Sequence, residues 1–125
     1  MNDPRSGSIG IFDSGFGGLT VMRAIRDLMP HENIVYFGDT ARLPYGSKSA
    51  DTILRYSLEN ASFLVTQGIK VLVIACNTAC TAALEEVRKS CSVPVIGITW
   101  CPRRSCGICR SQRISAPHPR GLRPR

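Results

Sequence analysis

Val71-Leu72-Val73-Ile74-Ala75 carries no polar side chain and leads directly into Cys76-Asn77-Thr78. A run that is apolar at every position leaves neither face for water. It therefore reads as a strand buried on both sides, as in a parallel sheet covered by helices. Asn77 and Thr78 are good helix N-cap types, and Leu84 and Val87 follow at helical spacing. The stretch is strand, polar turn, helix, and the fold depends on whether that unit repeats.

It repeats on both sides. Toward the N-terminus, residues 9–12 form a short apolar run closed by Asp13-Ser14-Gly15. A helical pattern with Val21, Met22, Ile25, Leu28 and Met29 then starts near Gly18 and stops at Pro30. Residues 34–37 are a second run rich in β-formers, closed by Gly38-Asp39 before a loop containing Pro44-Tyr45-Gly46. Ser49 suits the N-cap of the next helix, Ile53, Tyr56, Phe63 and Leu64 fit its apolar face, and Gly68 can end it in a left-handed conformation. Beyond the quoted stretch, residues 95–98 make a fourth strand. Strands alternating with crossover helices require parallel pairing, which predicts an α/β fold: an open parallel sheet with flanking helices. Ligands of such sheets bind outside the carboxyl ends of the strands, where loops 13–18, 39–46 and 76–78 converge.

Charge divides the chain of 125 residues. Nine basic and nine acidic residues balance over residues 1–100, whereas residues 101–125 hold seven arginines and no acid, and so supply the whole net charge of +7. Three segments are expected: an N-terminal extension over 1–8, an α/β body over 9–98, and a disordered Arg/Pro/Cys-rich tail over 99–125. A body of that size suits one domain rather than two. No apolar run approaches the roughly 20 residues of a bilayer-spanning helix, and the N-terminal segment lacks the apolar stretch of a secretory signal. The expectation is a soluble cytoplasmic protein with free thiols.

Two loops hold residues with chemistry, and each has two readings. Asp13-Ser14-Gly15-Phe16-Gly17-Gly18 precedes a helix N-terminus, where free backbone N–H groups and the helix dipole favour a carboxylate or phosphate. The same glycines can instead serve tight packing. Cys76 would put its sulfur near the positive end of a helix, which favours a thiolate acting as nucleophile or base, or it is a small buried hydrophobe. Cys80 and Cys91 read as packing residues.

Three segments, taken in order, resemble bacterial glutamate racemase: Ile11-Phe12-Asp13-Ser14-Gly15-Phe16-Gly17-Gly18-Leu19-Thr20-Val21, Tyr36-Phe37-Gly38-Asp39-Thr40-Ala41-Arg42-Leu43-Pro44-Tyr45-Gly46, and Ile74-Ala75-Cys76-Asn77-Thr78-Ala79. The likeness covers approximately residues 8–98, with aspartate racemase as the nearest related family. It implies the incomplete first domain of a two-domain racemase fold, and an activity that interconverts L- and D-glutamate for peptidoglycan without cofactor or metal. Inversion at a tetrahedral carbon needs a base on one face and an acid on the other, and two cysteines can serve as both. By position, Cys76 matches the family's N-terminal catalytic cysteine. Asp13 and Ser14 match substrate-contacting residues, Asp13 also as an aid to proton transfer. Tyr45, Gly46, Asn77 and Thr78 match positions that hold the substrate's carboxylates and amine.

The likeness also implies what should follow and does not. Family members are roughly twice this length and carry a second catalytic cysteine in a Cys-Thr-His motif, which this sequence lacks. Beyond Ile98 the composition changes to Arg, Pro, Ser, Gly and Cys without helical or strand periodicity. The expectation is a truncated or frameshifted gene product that is inactive alone, to be tested by reading the nucleotide sequence for a restored frame. The alternative is a non-catalytic pseudoenzyme module whose basic tail contacts a partner. Cys101, Cys106, Cys109 and His118 match no strong zinc spacing, and the arginines lack interleaved aromatic residues, so neither a metal site nor nucleic-acid binding is expected of the tail. Glutamate is the expected small-molecule partner, no membrane is expected, and oligomeric state stays open.

Overall fold

In the computed structural model, which describes Asp3 and residues 5–98, four strands form one parallel sheet. Strand β1 is Ser8–Asp13, β2 Ile34–Gly38, β3 Ile69–Ile74 and β4 Val95–Gly97. The helices between them are α1 Leu19–Leu28, α2 Ala50–Thr66 and α3 Asn77–Ser90. Two single helical turns, Thr40–Arg42 and Tyr45–Ser47, shape the loop between β2 and α2. The expected open α/β sheet is thus present, as part of a domain. Ser8, assigned on sequence to an N-terminal extension, is the first residue of β1, and its N–H donates to Gly68 O at 3.2 Å. The zinc and arginine readings of the tail, and its expected disorder, concern residues outside those described.

The strand order is β2-β1-β3-β4, so the first and third strands are the central pair. Right-handed crossovers put α1 on one face and α2 with α3 on the other, because the chain steps one way from β1 to β2 and the opposite way afterwards. The period-2 alternation of strand side chains then divides the core. Phe12, Leu72 and Ile74 point to the α2/α3 face and pack with Leu64, Leu84 and Val87. Ile9, Ile11 and Val73 point to α1 and meet Val21, Met22 and Ile25.

Local signals place the helix ends. Ser49 caps α2, accepting from Thr52 N at 3.2 Å, and Gly68 ends the following turn at φ +75°, where a side chain would be strained. Three expectations need correction. Leu28 and Met29 belong to the apolar pattern of α1 but are exposed, because nothing among the described residues covers the last turn of that helix. Phe63 is also about half exposed: it lies over edge strand β2 and packs at a tilt against Phe37 with ring centroids 5.2 Å apart. The cap of α3 is neither Asn77 nor Thr78 but Cys76 itself.

Candidate functional site

Strands β1 and β3 are neighbours, yet the chain leaves β1 toward one side of the sheet and leaves β3 toward the other. Their carboxyl ends therefore open a crevice, the place where doubly wound sheets hold ligands. Phe12 pairs with Ile74, and Ala75 N donates to Phe12 O at 2.8 Å, so Asp13 and Cys76 emerge side by side. A cleft of about 520 Å³ lies there, lined by Asp13, Ser14, Gly15, Phe16, Gly17, Val21, Leu43, Ala75, Cys76, Asn77, Thr78 and Ile98. Five of the seven residues singled out on sequence line it: Asp13, Ser14, Cys76, Asn77 and Thr78.

Cys76 is buried, and its sulfur accepts from Ala79 N at 3.4 Å, one of the amide groups that the first turn of a helix leaves unpaired. Its thiol also donates to Ser14 Oγ at 3.4 Å. The two readings of this cysteine thus merge: the residue is buried, and its polar end faces the cleft at a helix N-terminus. Asn77 and Thr78 open the first turn of α3, with Asn77 exposed and Thr78 half-buried. Cys80, one turn on, is a different case. Its thiol donates to Ile74 O at 3.3 Å, and burial pushes it up to about 11, against bonding to Ile98 that acts the other way.

Asp13 is buried and saturated by its own loop: Ser14 N donates to Oδ1 at 2.8 Å and Gly18 N to Oδ2 at 2.6 Å. The amide at the start of α1 is therefore taken by a resident carboxylate rather than left for a bound one. Packing explains two of the glycines. A Cβ on Gly18 would lie 2.8 Å from Asp13 Cβ and 3.1 Å from Ala75 Cβ, and one on Gly15 would lie 2.9 Å from Leu43. The first is a close approach that only glycine permits, whereas at Gly15 the neighbour is the movable end of the Leu43 side chain.

Tyr45 and Gly46 are not among the lining residues. The Tyr45 side chain is buried, donates its hydroxyl to Asp39 Oδ2, and accepts from Asn60 Nδ2 at 2.8 Å. Arg42 closes the group, bonding Asp39 at 2.8 Å and Asn60 Oδ1 at 3.0 Å while its guanidinium lies 3.9 Å from the centre of the Tyr56 ring. Burial first and Asp39 second hold the Tyr45 phenol well above its ordinary range, so it stays a donor. The phenol is thus spent inside the fold, the Tyr45 carbonyl accepts from Lys48 N at 3.0 Å, and only Gly46 of the pair is exposed. Sequence reasoning missed this network. Its signal was the helical spacing of Ser57 and Asn60 with Ile53, Ala61 and Leu64, which puts polar groups on the buried face of α2.

No family model matches the chain. Comparison with curated proteins gives 55% identity over 108 residues to glutamate racemase of Geobacter metallireducens, covering 86% of this chain and 40% of that protein. A match of that length runs past Ile98 into residues beyond the described body. The solved glutamate racemase of Aquifex pyrophilus superposes with a TM-score of 0.71 at 59% identity, over 72% of this chain and 36% of that one. That of Francisella tularensis, solved with D-glutamate, gives 0.70 at 44% identity, over 73% and 35%. The chain spans about 35–40% of the length of the curated relatives it matches. With more than half of the aligned residues identical to such relatives and the same α/β fold, the body of this chain corresponds to the N-terminal part of glutamate racemases.

Proposed function

We propose that this chain carries one half of a cofactor-independent glutamate racemase site, in which Cys76 removes the α-proton from one face of glutamate and can return one to it. The observation that carries this reading is the Cys76 sulfur in the cleft, 3.4 Å from both Ala79 N and Ser14 Oγ. An anionic sulfur there has the amide as a donor, and a second in the Ser14 hydroxyl once it turns. When the proton moves from Cα to sulfur, its electron pair stays on the substrate and spreads into the α-carboxylate, where N–H groups of the first turn of α3 favour the added charge. In this reading Asp13 and Ser14 contact substrate, with Asp13 holding the loop and aiding proton transfer. Gly46 offers its exposed backbone, with Tyr45 holding that loop from inside, and Asn77 and Thr78 bind carboxylate or amine. Glutamate as substrate is supported by the family and by its Francisella member solved with D-glutamate. A cytoplasmic role in supplying D-glutamate to peptidoglycan follows from the same reading, as does a racemase domain spanning residues 9–98.

Inversion requires an acid on the opposite face of the carbon. Among the described residues the cleft offers one thiol, since Cys80 is buried against Ile74 and Cys91 sits at the other end of α3. The 125-residue chain by itself is therefore expected to exchange the α-proton without inverting the centre. Incubation with L- or D-glutamate in deuterated water, followed by proton NMR and chiral chromatography, tests this. Deuterium incorporation with retention, lost in Cys76→Ala, is the expected result. Exchange that persists in Cys76→Ala overturns the assignment, and glutamate binding without exchange favours the non-catalytic module. Sustained interconversion in both directions would mean that this chain also supplies the second acid.

A further inference from the structure

We infer that Tyr36 is a positioning residue for the Cys76 thiol, acting through the Gly15 carbonyl and Ser14. The inference rests on the reading of Cys76 given above. Tyr36 lies on β2 opposite Ile11, on the α1 face, and its hydroxyl donates across 21 residues of chain to Gly15 O at 3.0 Å. Gly15 is confined on two further sides: a Cβ on Gly38 would lie 2.7 Å from Gly15 O, and one on Gly15 itself would meet Leu43. Ser14 is thus pinned at both ends, its N–H by Asp13 Oδ1 at 2.8 Å and the next carbonyl by Tyr36. Between those anchors its hydroxyl meets the Cys76 sulfur. A hydroxyl rotates to suit its partner, so a Ser14 held in place can accept from the thiol and donate to the thiolate. Burial and then the Asp13 charge push the Tyr36 phenol up to about 12, which keeps it a donor throughout the neutral range. The titratable groups around the joint are Asp13 at the end of β1, Tyr36 on β2 and Cys80 on α3.

Tyr36→Phe removes one hydroxyl and keeps the ring. Cys76 alkylation by iodoacetamide, mass-mapped from pH 6 to 10 on the full chain, is the measurement, with Cys91 as internal reference. Wild-type Cys76 should react faster than Cys91. In Tyr36→Phe its rate at neutral pH should fall roughly threefold to tenfold, the scale of a weakened hydrogen bond to a charged group, with the pH–rate profile moved to higher pH and Cys91 unchanged. Ser14→Ala should give the same displacement, and adding Tyr36→Phe to it should add nothing, which a general loosening of the fold would not produce. Gly38→Ala reaches the joint from its other side by pushing the Gly15 carbonyl away, and should displace the profile in the same direction. If Tyr36→Phe and Gly38→Ala both keep the wild-type profile while Ser14→Ala slows Cys76, the inference is overturned and the reading of Cys76 stands. If wild-type Cys76 reacts no faster than Cys91, that reading falls and the inference falls with it.

Discussion

On one face of the sheet Leu64, Leu72, Ile74 and Val87 are wholly buried between β1, β3, α2 and α3; on the other, α1 has no fully buried residue and Leu28 is 81% exposed. The first face is a closed core and gives the fold its stability. The second is a thin layer over Ile9, Ile11 and Val73. The contrast matters for the site, because the loop that carries Asp13 and Ser14 leads into α1. Its position does not come from α1 packing. It comes from polar anchors, with Asp13 bonding Ser14 and Gly18 and Tyr36 bonding Gly15. A buried, satisfied carboxylate can fix a loop where apolar contact is sparse, because leaving it unpaired would be costly.

The sharpest way to break this comparison is to make the same kind of change on both faces. Leu64→Ala empties a fully buried position on α2 and should cost about 2–5 kcal/mol, which urea unfolding can read. Ile25→Ala on α1 removes a half-buried side chain and should cost roughly 1 kcal/mol. Equal losses would mean that the two faces carry the fold alike.

A smaller effect should appear in alkaline solution, again from the closed face. Cys80 has an ordinary thiol value of 9.0 in the unfolded chain and about 11 in the folded one, so its ionisation favours unfolding. Its contribution is complete below pH 9 and is lost as pH rises from 9 through 11. Tyr36 adds a loss of the same sign, starting from its ordinary 10.0 and running to about 12. Denaturation midpoints measured from pH 8 to 10 should therefore fall, and Cys80→Ala should flatten that fall. An unchanged slope would show that the thiol is less enclosed than its hydrogen bond to Ile74 implies.

The smallest effect is expected where α1 is barest. Leu28→Ser should change stability by less than about 0.5 kcal/mol, because the side chain already stands in water. A loss several times larger in the same urea titration would reveal a cover over this helix that the described residues do not supply.

Much of this molecule was legible in the sequence. The unbroken apolar run before Cys76 announces a central parallel strand, Ser49 and Gly68 mark the ends of a helix, and the alternation of runs and helical patterns gives the α/β class. Each of these depends on a residue and its near neighbours, which is the range over which capping, left-handed turns and periodicity act. The three loops of the candidate site were also found, since each follows a strand end. Three features depended on strand order and burial instead. The order β2-β1-β3-β4 sets Asp13 beside Cys76 although 62 residues separate Ser14 from that cysteine. Tyr45 turned inward because Asp39 and Asn60 wait there, and Cys76 became the cap of its own helix because Ala79 N points at its sulfur. Which segments are strands and helices, and where the polar loops lie, follows from residues close together along the chain. Which polar groups face one another across the cleft, and which are used up inside, depends on the assembled sheet, because a buried donor or acceptor must find its partner wherever packing has brought one.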